Sequence, residues 1–393
     1  MKCYLCSQYD IVLSLDLGSQ PLANKYPTEK EFETEDFFPL QVFFCKKCKN
    51  VQLGTIISRK RMFEDYYYLS SVNPGLVRHF EELAKKIASA RFVVDIGSND
   101  GILLKPLKQL SVKAIGVDPS INISKIANDQ GLTTIASFFD SETTEKIEKD
   151  FGKPDVVVAS SVFTHLENPH QFIEDLKNVM DNDGVFILEV EYIGNILENI
   201  QFERFYLDRV FYYSLTSLLK LFAGHDMYIA DVEKIEPHGG SIRVVVRKNS
   251  LGSSPSTAVK NLLKEERNIL NISKLEEFRH KAETYLSAFR DKLNEYKKAG
   301  LRVAGYGAPA RVATICNYGK IGPSLIGFIV DDSPLKQNRW SPGTHIPIVP
   351  RSYLEKYKPD VLVVFAYEYF EDIKKKTNGE YKYLIPIPPR EII

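Results

Sequence analysis

Apolar runs and amphipathic stretches alternate along most of the chain. NPGLVRHFEELAKKIAS spaces its apolar residues as a helix does, and leads into RFVVDIGSND, an apolar run that ends in a glycine turn. Strand-like runs KAIGVDPS, DVVVASSVF, GVFILEVEY and SIRVVVRK follow, with helical stretches among them. That rhythm predicts a doubly wound sheet over residues 71–250. The polar NSLGSSPSTA, residues 249–258, reads as a boundary. SKLEEFRHKAETYLSAFRDKLNEYKKAG then predicts a long amphipathic helix closed by Gly300. A second α/β rhythm, through LRVAGYGAPARVATI, LIGFIVDDS, IPIV, DVLVVFAYEY and KYLIPI, assigns residues 259–393 to a Rossmann-like C-terminal unit. Residues 1–70 hold short strands and turns around LDLGSQPLAN, too small a module to stand without a staple.

The 393 residues exceed what one core holds, which agrees with several units. Lys+Arg and Asp+Glu are equal at 51, so no basic excess points to nucleic acid or an anionic membrane as partner. MKCYLCSQYD lacks a basic start followed by an apolar run, and a cytoplasmic monomer or weak homo-oligomer is expected.

Four of five cysteines form two CxxC pairs, Cys3 with Cys6 and Cys45 with Cys48. Each such turn points two sulfurs to one side, and zinc favours a closed tetrahedron of four thiolates, so a structural zinc is expected. A redox dithiol would come as one pair at a strand-to-helix junction. Cys316 reads as a buried small hydrophobe.

VVDIGSNDGILLKPL places Asp95, Gly97, Asn99, Asp100 and Gly101 where a strand turns into a helix, the edge at which open α/β sheets bind ligands. GxxxxGK[ST] is absent and an acidic turn repels phosphate, so the loop suits a ligand with a cationic amino-acid end, S-adenosylmethionine. Asp118, followed by Pro119, ends the next strand where a carboxylate accepts ribose hydroxyls. Ser137, Phe138, Phe139 and Ser160, at two further strand ends, are placed to flank the adenine and the sulfonium. A DxG turn after an apolar strand is also a common loop.

Taken in order, the paired CxxC with LDLGSQPLAN, FEDYYYLSSVN, DIGSNDG, GVDPS, QFERFY...YYSL, HGGSIRV, GYGAPARVATICNY and PGTHIPIV are specific. Over nearly its whole length the chain resembles the sugar C-methyltransferases that methylate carbon 3 of thymidine-diphosphate-linked 4-keto deoxysugars. The resemblance implies an α/β protein with a small N-terminal zinc-binding module, a central Rossmann-like class I methyltransferase domain and a C-terminal Rossmann-like domain. A nucleotide-sugar would be held between the last two. One segment departs from the family: where it reads DTIYHEHLSYFSL, with the second histidine as base, this chain has ERFYLDRVFYYSL. Tyr206 survives, but Leu207, Asp208 and Arg209 replace His-Glu-His, and arginine does not act as a base at neutral pH.

Methylation of carbon beside a ketone requires removal of a weakly acidic proton and stabilisation of an enolate. Tyr68, His165, Tyr206, Asp208 and His238 match family positions and are the expected catalytic groups. His238 stands in PHGGSIRV, where a structural histidine at a tight turn is the competing reading. Arg209, Gly239, Ser241, Tyr306, Arg311 and Asn317 are expected to face the nucleotide-sugar. His79, His170, His225, His280 and His345 are expected on the surface or in loops, and Lys336, Arg339 and Trp340 either to contribute a charged or stacking contact or to be solvated. GYGAPA with Asp331 and Asp332 superficially suggests a second dinucleotide site. Two other readings stay open: O-methylation of a sugar or sugar-derived metabolite, favoured by the lost histidine, and a zinc-stapled binding protein that no longer catalyses.

Overall fold

The computed structural model describes residues 1–63, 69–249 and 254–392, and Tyr68 lies outside them. Three sheets follow one another. In the cysteine module Ile11–Pro21, Phe37–Cys45 and Val51–Leu53 pair antiparallel, and the edge is completed by Phe211–Tyr212, a strand lent by the central unit.

The central sheet runs in the order Met227–Ile235, Ser241–Lys248, Val185–Glu191, Val156–Ser160, Phe92–Ile96, Lys113–Val117, Thr134–Ile135. Its last five strands are parallel and the first two antiparallel. Phe92–Ile96 is buried along its whole length, as a strand covered on both faces must be, and its apolar run therefore shows no alternation. Strand order reverses between Phe92–Ile96 and Val156–Ser160, which opens a crevice at their carboxyl ends. Met227–Ile235 is a strand that the apolar pattern did not reveal, because polar residues interrupt MYIADVEKI.

In the C-terminal sheet five parallel strands, Pro347–Val349, Ile329–Val330, Val303–Tyr306, Val361–Val364 and Lys382–Ile385, are flanked by antiparallel edges Arg339–Trp340 and Arg390–Ile392. The helix Ile272–Lys298 starts where the Asn271 side chain accepts from the Lys274 amide. It buries Leu275, Phe278, Ala282, Leu286, Phe289, Leu293 and Tyr296, one stripe at three- and four-residue steps. Against that stripe pack Leu15 and Val42 of the cysteine module and Ile329 and Val363 of the C-terminal sheet, so one core joins the two ends of the chain. Phe289→Ala would cost about 3–5 kcal/mol there. A second helix, Thr257–Ile269, begins inside the stretch expected to be a boundary.

Four histidines expected at the surface or in loops are bonded into the fold. His79 Nε2 meets Glu189 at 2.9 Å, His170 Nδ1 meets His225 Nε2 at 2.7 Å, and His345 pairs with Glu35 at 2.8 Å while stacking on Phe32. Their polar neighbours in sequence are helix and loop faces turned toward other elements. His280 is exposed, and Cys316 is fully buried.

Candidate functional site

The ligand sulfurs of Cys3, Cys6, Cys45 and Cys48 all lie within 4.8 Å of one another. Cys3 and Cys48 are 3.5 Å apart and Cys6 and Cys45 3.6 Å, near the separation of about 3.8 Å that two thiolates have around tetrahedral zinc. The donor set is complete, so the metal it fits would hold the module and leave no coordination position for a substrate.

A cavity of about 340 Å³ lies at the carboxyl ends of the central strands and reaches residues of all three units. At the first end the turn after Phe92–Ile96 is tight: Gly97 has φ +71°, and a Cβ there would fall 2.1 Å from Val162. Asp118 accepts the amides of Asn99 and Ser120, each at 2.9 Å, which leaves lone pairs on both oxygens for ribose hydroxyls. Asp95 also lines the cavity, and its carboxylate accepts no hydrogen bond from the described residues. Burial, then Asp118 and Glu189, push its pKa well above the usual carboxylate value. A buried carboxylate without a donor fits the cationic amino-acid end of S-adenosylmethionine, which would restore its charge. Pro119, Ser137, Phe138, Phe139 and Ser160 line the same end. Arg59, a cavity residue that the sequence did not single out, lies 4.8 Å from the Phe138 ring centre.

The second end is cationic. Arg204, Arg209, Arg311 and Lys336 line it, together with Glu191, Tyr206, His165 and His238. Arg209 is bonded to Glu191 and sits over the Tyr206 ring, 4.6 Å from its centre. Burial opposes charge on Glu191, yet Arg209 and Arg204 outweigh it and hold its pKa below the ordinary value. Burial pushes His165 to about 4, aided by Arg209, and pushes His238 to about 4 against the pull of Glu191. Both rings are therefore neutral at pH 7. The Asp208 carbonyl accepts from His165 Nδ1, which puts the lone pair on Nε2. His238, at φ 56°, makes no ring hydrogen bond with the described residues.

Asp100, Gly101, Asp208, Gly239, Ser241, Tyr306 and Asn317 are not among the described residues that line the cavity. Asp100 accepts from Ser71, and Asp208 accepts from Asn24 at 2.6 Å. Burial raises Asp208 above its ordinary pKa even beside Arg209. Gly101 has Leu132 against it, Ser241 closes its own turn on Pro237, and Asn317 holds the Pro342 carbonyl. Tyr306 donates to Asp332 at 3.1 Å, and Asp331 accepts the Ala308 amide at 2.7 Å, so the acidic pair is engaged by its own unit. Lys336, for which a charged contact and solvation were the two expectations, lines the cavity and donates to the Ala308 carbonyl at 2.9 Å, because the GYGAPA loop passes beneath it.

Sequence reasoning missed Asn24, Glu191 and Arg204, which come from three different segments. A signal existed for Glu191: the apolar strand GVFILEVEY carries two carboxylates at its end, and both are buried. Arg204 stands among aromatic residues in QFERFY, a setting that also describes an ordinary loop.

Comparison with known proteins gives three family matches in order: "Putative zinc binding domain" over residues 3–63, "Methyltransferase domain" over 68–231 and "C-methyltransferase C-terminal domain" over 236–388. The chain is 30% identical to the C-methyltransferase NovU of Streptomyces niveus, with 100% of this chain and 96% of that protein covered. The mitochondrial ubiquinone biosynthesis O-methyltransferase of Arabidopsis thaliana is 28% identical over 30% of this chain and 39% of its own. Among solved structures, the plantazolicin methyltransferase BpumL with SAH is 14% identical at TM-score 0.36, covering 44% of this chain and 85% of that one.

Proposed function

The chain belongs to the C-methyltransferase family that joins zinc-binding, methyltransferase and C-terminal C-methyltransferase domains, and from that premise we propose that this S-adenosylmethionine-dependent enzyme methylates a carbon beside the ketone of a nucleotide-linked deoxysugar. The observation that supports this substrate is the polarity of the cavity. Carboxylates Asp95 and Asp118 stand at one end, and Arg204, Arg209, Arg311 and Lys336 at the other. The acidic end suits the cationic cofactor, and the basic end suits an anionic acceptor such as a sugar diphosphate.

When bound, S-adenosylmethionine supplies an electrophilic methyl group on a sulfonium. Asp95, Asp118 and the Phe138 wall would hold it. The chain must then take a proton from the acceptor carbon and stabilise the enolate. His238 is neutral, faces the cavity and is the base in this reading, with the neutral ring of His165 as the second candidate. Arg209 stands where the family keeps a histidine; paired with Glu191 it is fixed as a cation, and it serves the enolate oxygen as a charge. Carbon rather than oxygen as acceptor follows the family to which the chain belongs. Incubation with a nucleotide-linked keto sugar in heavy water tests the reading: deuterium beside the ketone of recovered, unmethylated substrate and, in the product, a methyl on carbon in place of that hydrogen are expected, and a methyl ether would refute it.

A further inference from the structure

Arg204 closes the short turn Phe202–Arg204 of the central unit, and Arg311 opens the helix Arg311–Gly319 of the C-terminal unit. Both line the cavity, yet they meet through a residue that does not line it, among those described. Glu368, in the turn Tyr367–Tyr369, accepts from Arg311 Nη2 at 2.7 Å with each oxygen, and one oxygen also accepts from Arg204. Burial works against charge on Glu368, but Arg311 and Arg204 outweigh it and hold its pKa down at about 2.

The path of Arg204 explains part of the HGG turn. Gly239 has φ +74°, and a Cβ on it would fall 2.0 Å from Arg204 Nη2, so a side chain there would displace the guanidinium. Donors remain unused: Arg204 Nε and Arg311 Nη1 are buried without a hydrogen-bond partner. Three arginines meet two ion-paired carboxylates here. Arg204, Arg209 and Arg311 share the ionised Glu191 and Glu368, while burial raises the pKa of nearby Glu203, which accepts from the Tyr367 hydroxyl.

We propose that Arg204 and Arg311, contributed by two units, form one fork that receives the phosphate groups of the substrate, and that Glu368 is the positioning residue that sets their spacing. The inference rests on the reading of the substrate as nucleotide-linked. Arginine suits the task because its planar N–H array matches phosphate oxygens in pairs, a match that lysine does not reproduce.

The sign of one substitution tests it. By Coulomb attraction alone, Glu368→Gln removes a negative charge and tightens anion binding. If Glu368 positions the fork, the same change weakens it. Inorganic pyrophosphate is titrated by calorimetry into the full zinc-loaded chain saturated with S-adenosylhomocysteine. Glu368→Gln and Arg311→Lys are each expected to weaken binding about tenfold or more, the loss of a hydrogen bond between charged groups, with Glu368→Asp recovering part of it. Affinity for S-adenosylhomocysteine is expected to be unchanged, which reports an intact fold. Tighter or equal pyrophosphate binding by Glu368→Gln overturns the proposal, as does no binding by the unaltered chain. The substrate reading is judged separately, by whether the same preparation methylates a nucleotide-linked keto sugar.

Discussion

The guanidinium of Arg209 lies over the ring of Tyr206 and is bonded to the buried carboxylate of Glu191. Replacing Arg209 with methionine keeps bulk but, among the described residues, leaves Glu191 paired only with the more distant Arg204, at 3.8 Å. Removing one member of a buried pair costs about 3–5 kcal/mol, so the urea midpoint should fall sharply, and Arg209→Met with Glu191→Gln should recover most of the loss. Equal stabilities of the parent and Arg209→Met would show that the pair contributes nothing to the fold.

His238→Gln is expected to lower turnover about a hundredfold to ten-thousandfold, the usual contribution of a base, with little change in cofactor affinity. Because burial pushes this ring to about 4, the acid limb of kcat/KM should lie near that value rather than near 6.5. An acid limb at 6.5 that survives in the variant would assign the proton to another group.

Both cavity histidines also tie stability to pH. In the unfolded chain their pKa returns to about 6.5, above the folded value of about 4. The unfolded state therefore takes up protons first as pH falls. This part of the stability is complete above about 6.5 and is lost progressively toward about 4. Urea midpoints measured across that window should decline, and the His165→Gln, His238→Gln double variant should decline less.

Asp118→Ala should weaken S-adenosylmethionine binding by about 1.5–3 kcal/mol, the worth of a charge-assisted contact to ribose. Asp95→Asn should weaken it too, yet make the ligand-free protein more stable, because a buried carboxylate without a donor is removed from beside Asp118 and Glu189. Calorimetry and a melting curve check the two halves. A less stable Asp95→Asn protein would mean that the Asp95 carboxylate stabilises the ligand-free fold.

Elemental analysis should find one zinc per chain, lost in Cys48→Ser. Metal content unaffected by that change would place the ion elsewhere.

Much of this was legible in the chain itself. The cysteine spacing and the strand, glycine turn and carboxylate of DIGSNDG and GVDPS are local signals, because each comes from a few adjacent residues acting together. Val303–Tyr306 and Val361–Val364 were legible as apolar runs of the second α/β rhythm, whereas Arg339–Trp340 and Arg390–Ile392 are too short to leave a pattern. The cationic end was hidden for another reason. Arg204 and Arg209 lie about a hundred residues before Arg311 and Lys336, and only the packing of the central unit against the C-terminal unit gathers the two pairs. Asn317 and Tyr306 show the converse: family position suggested a role at the substrate, and the structure gives each a partner within its own unit.

The strand Phe211–Tyr212 pairs with Gln52 and Val51 of the cysteine module only two residues after Arg209. Anyone recombining such enzymes should treat it as a seam. A graft that exchanges residues 1–63 between relatives cuts this sheet along its last ladder, so the newcomer must fit a strand that it did not bring. The exchangeable piece is thus discontinuous, the cysteine module plus the segment around residues 204–212, and crossovers that respect that boundary should yield soluble chimeras more often than those that follow sequence order.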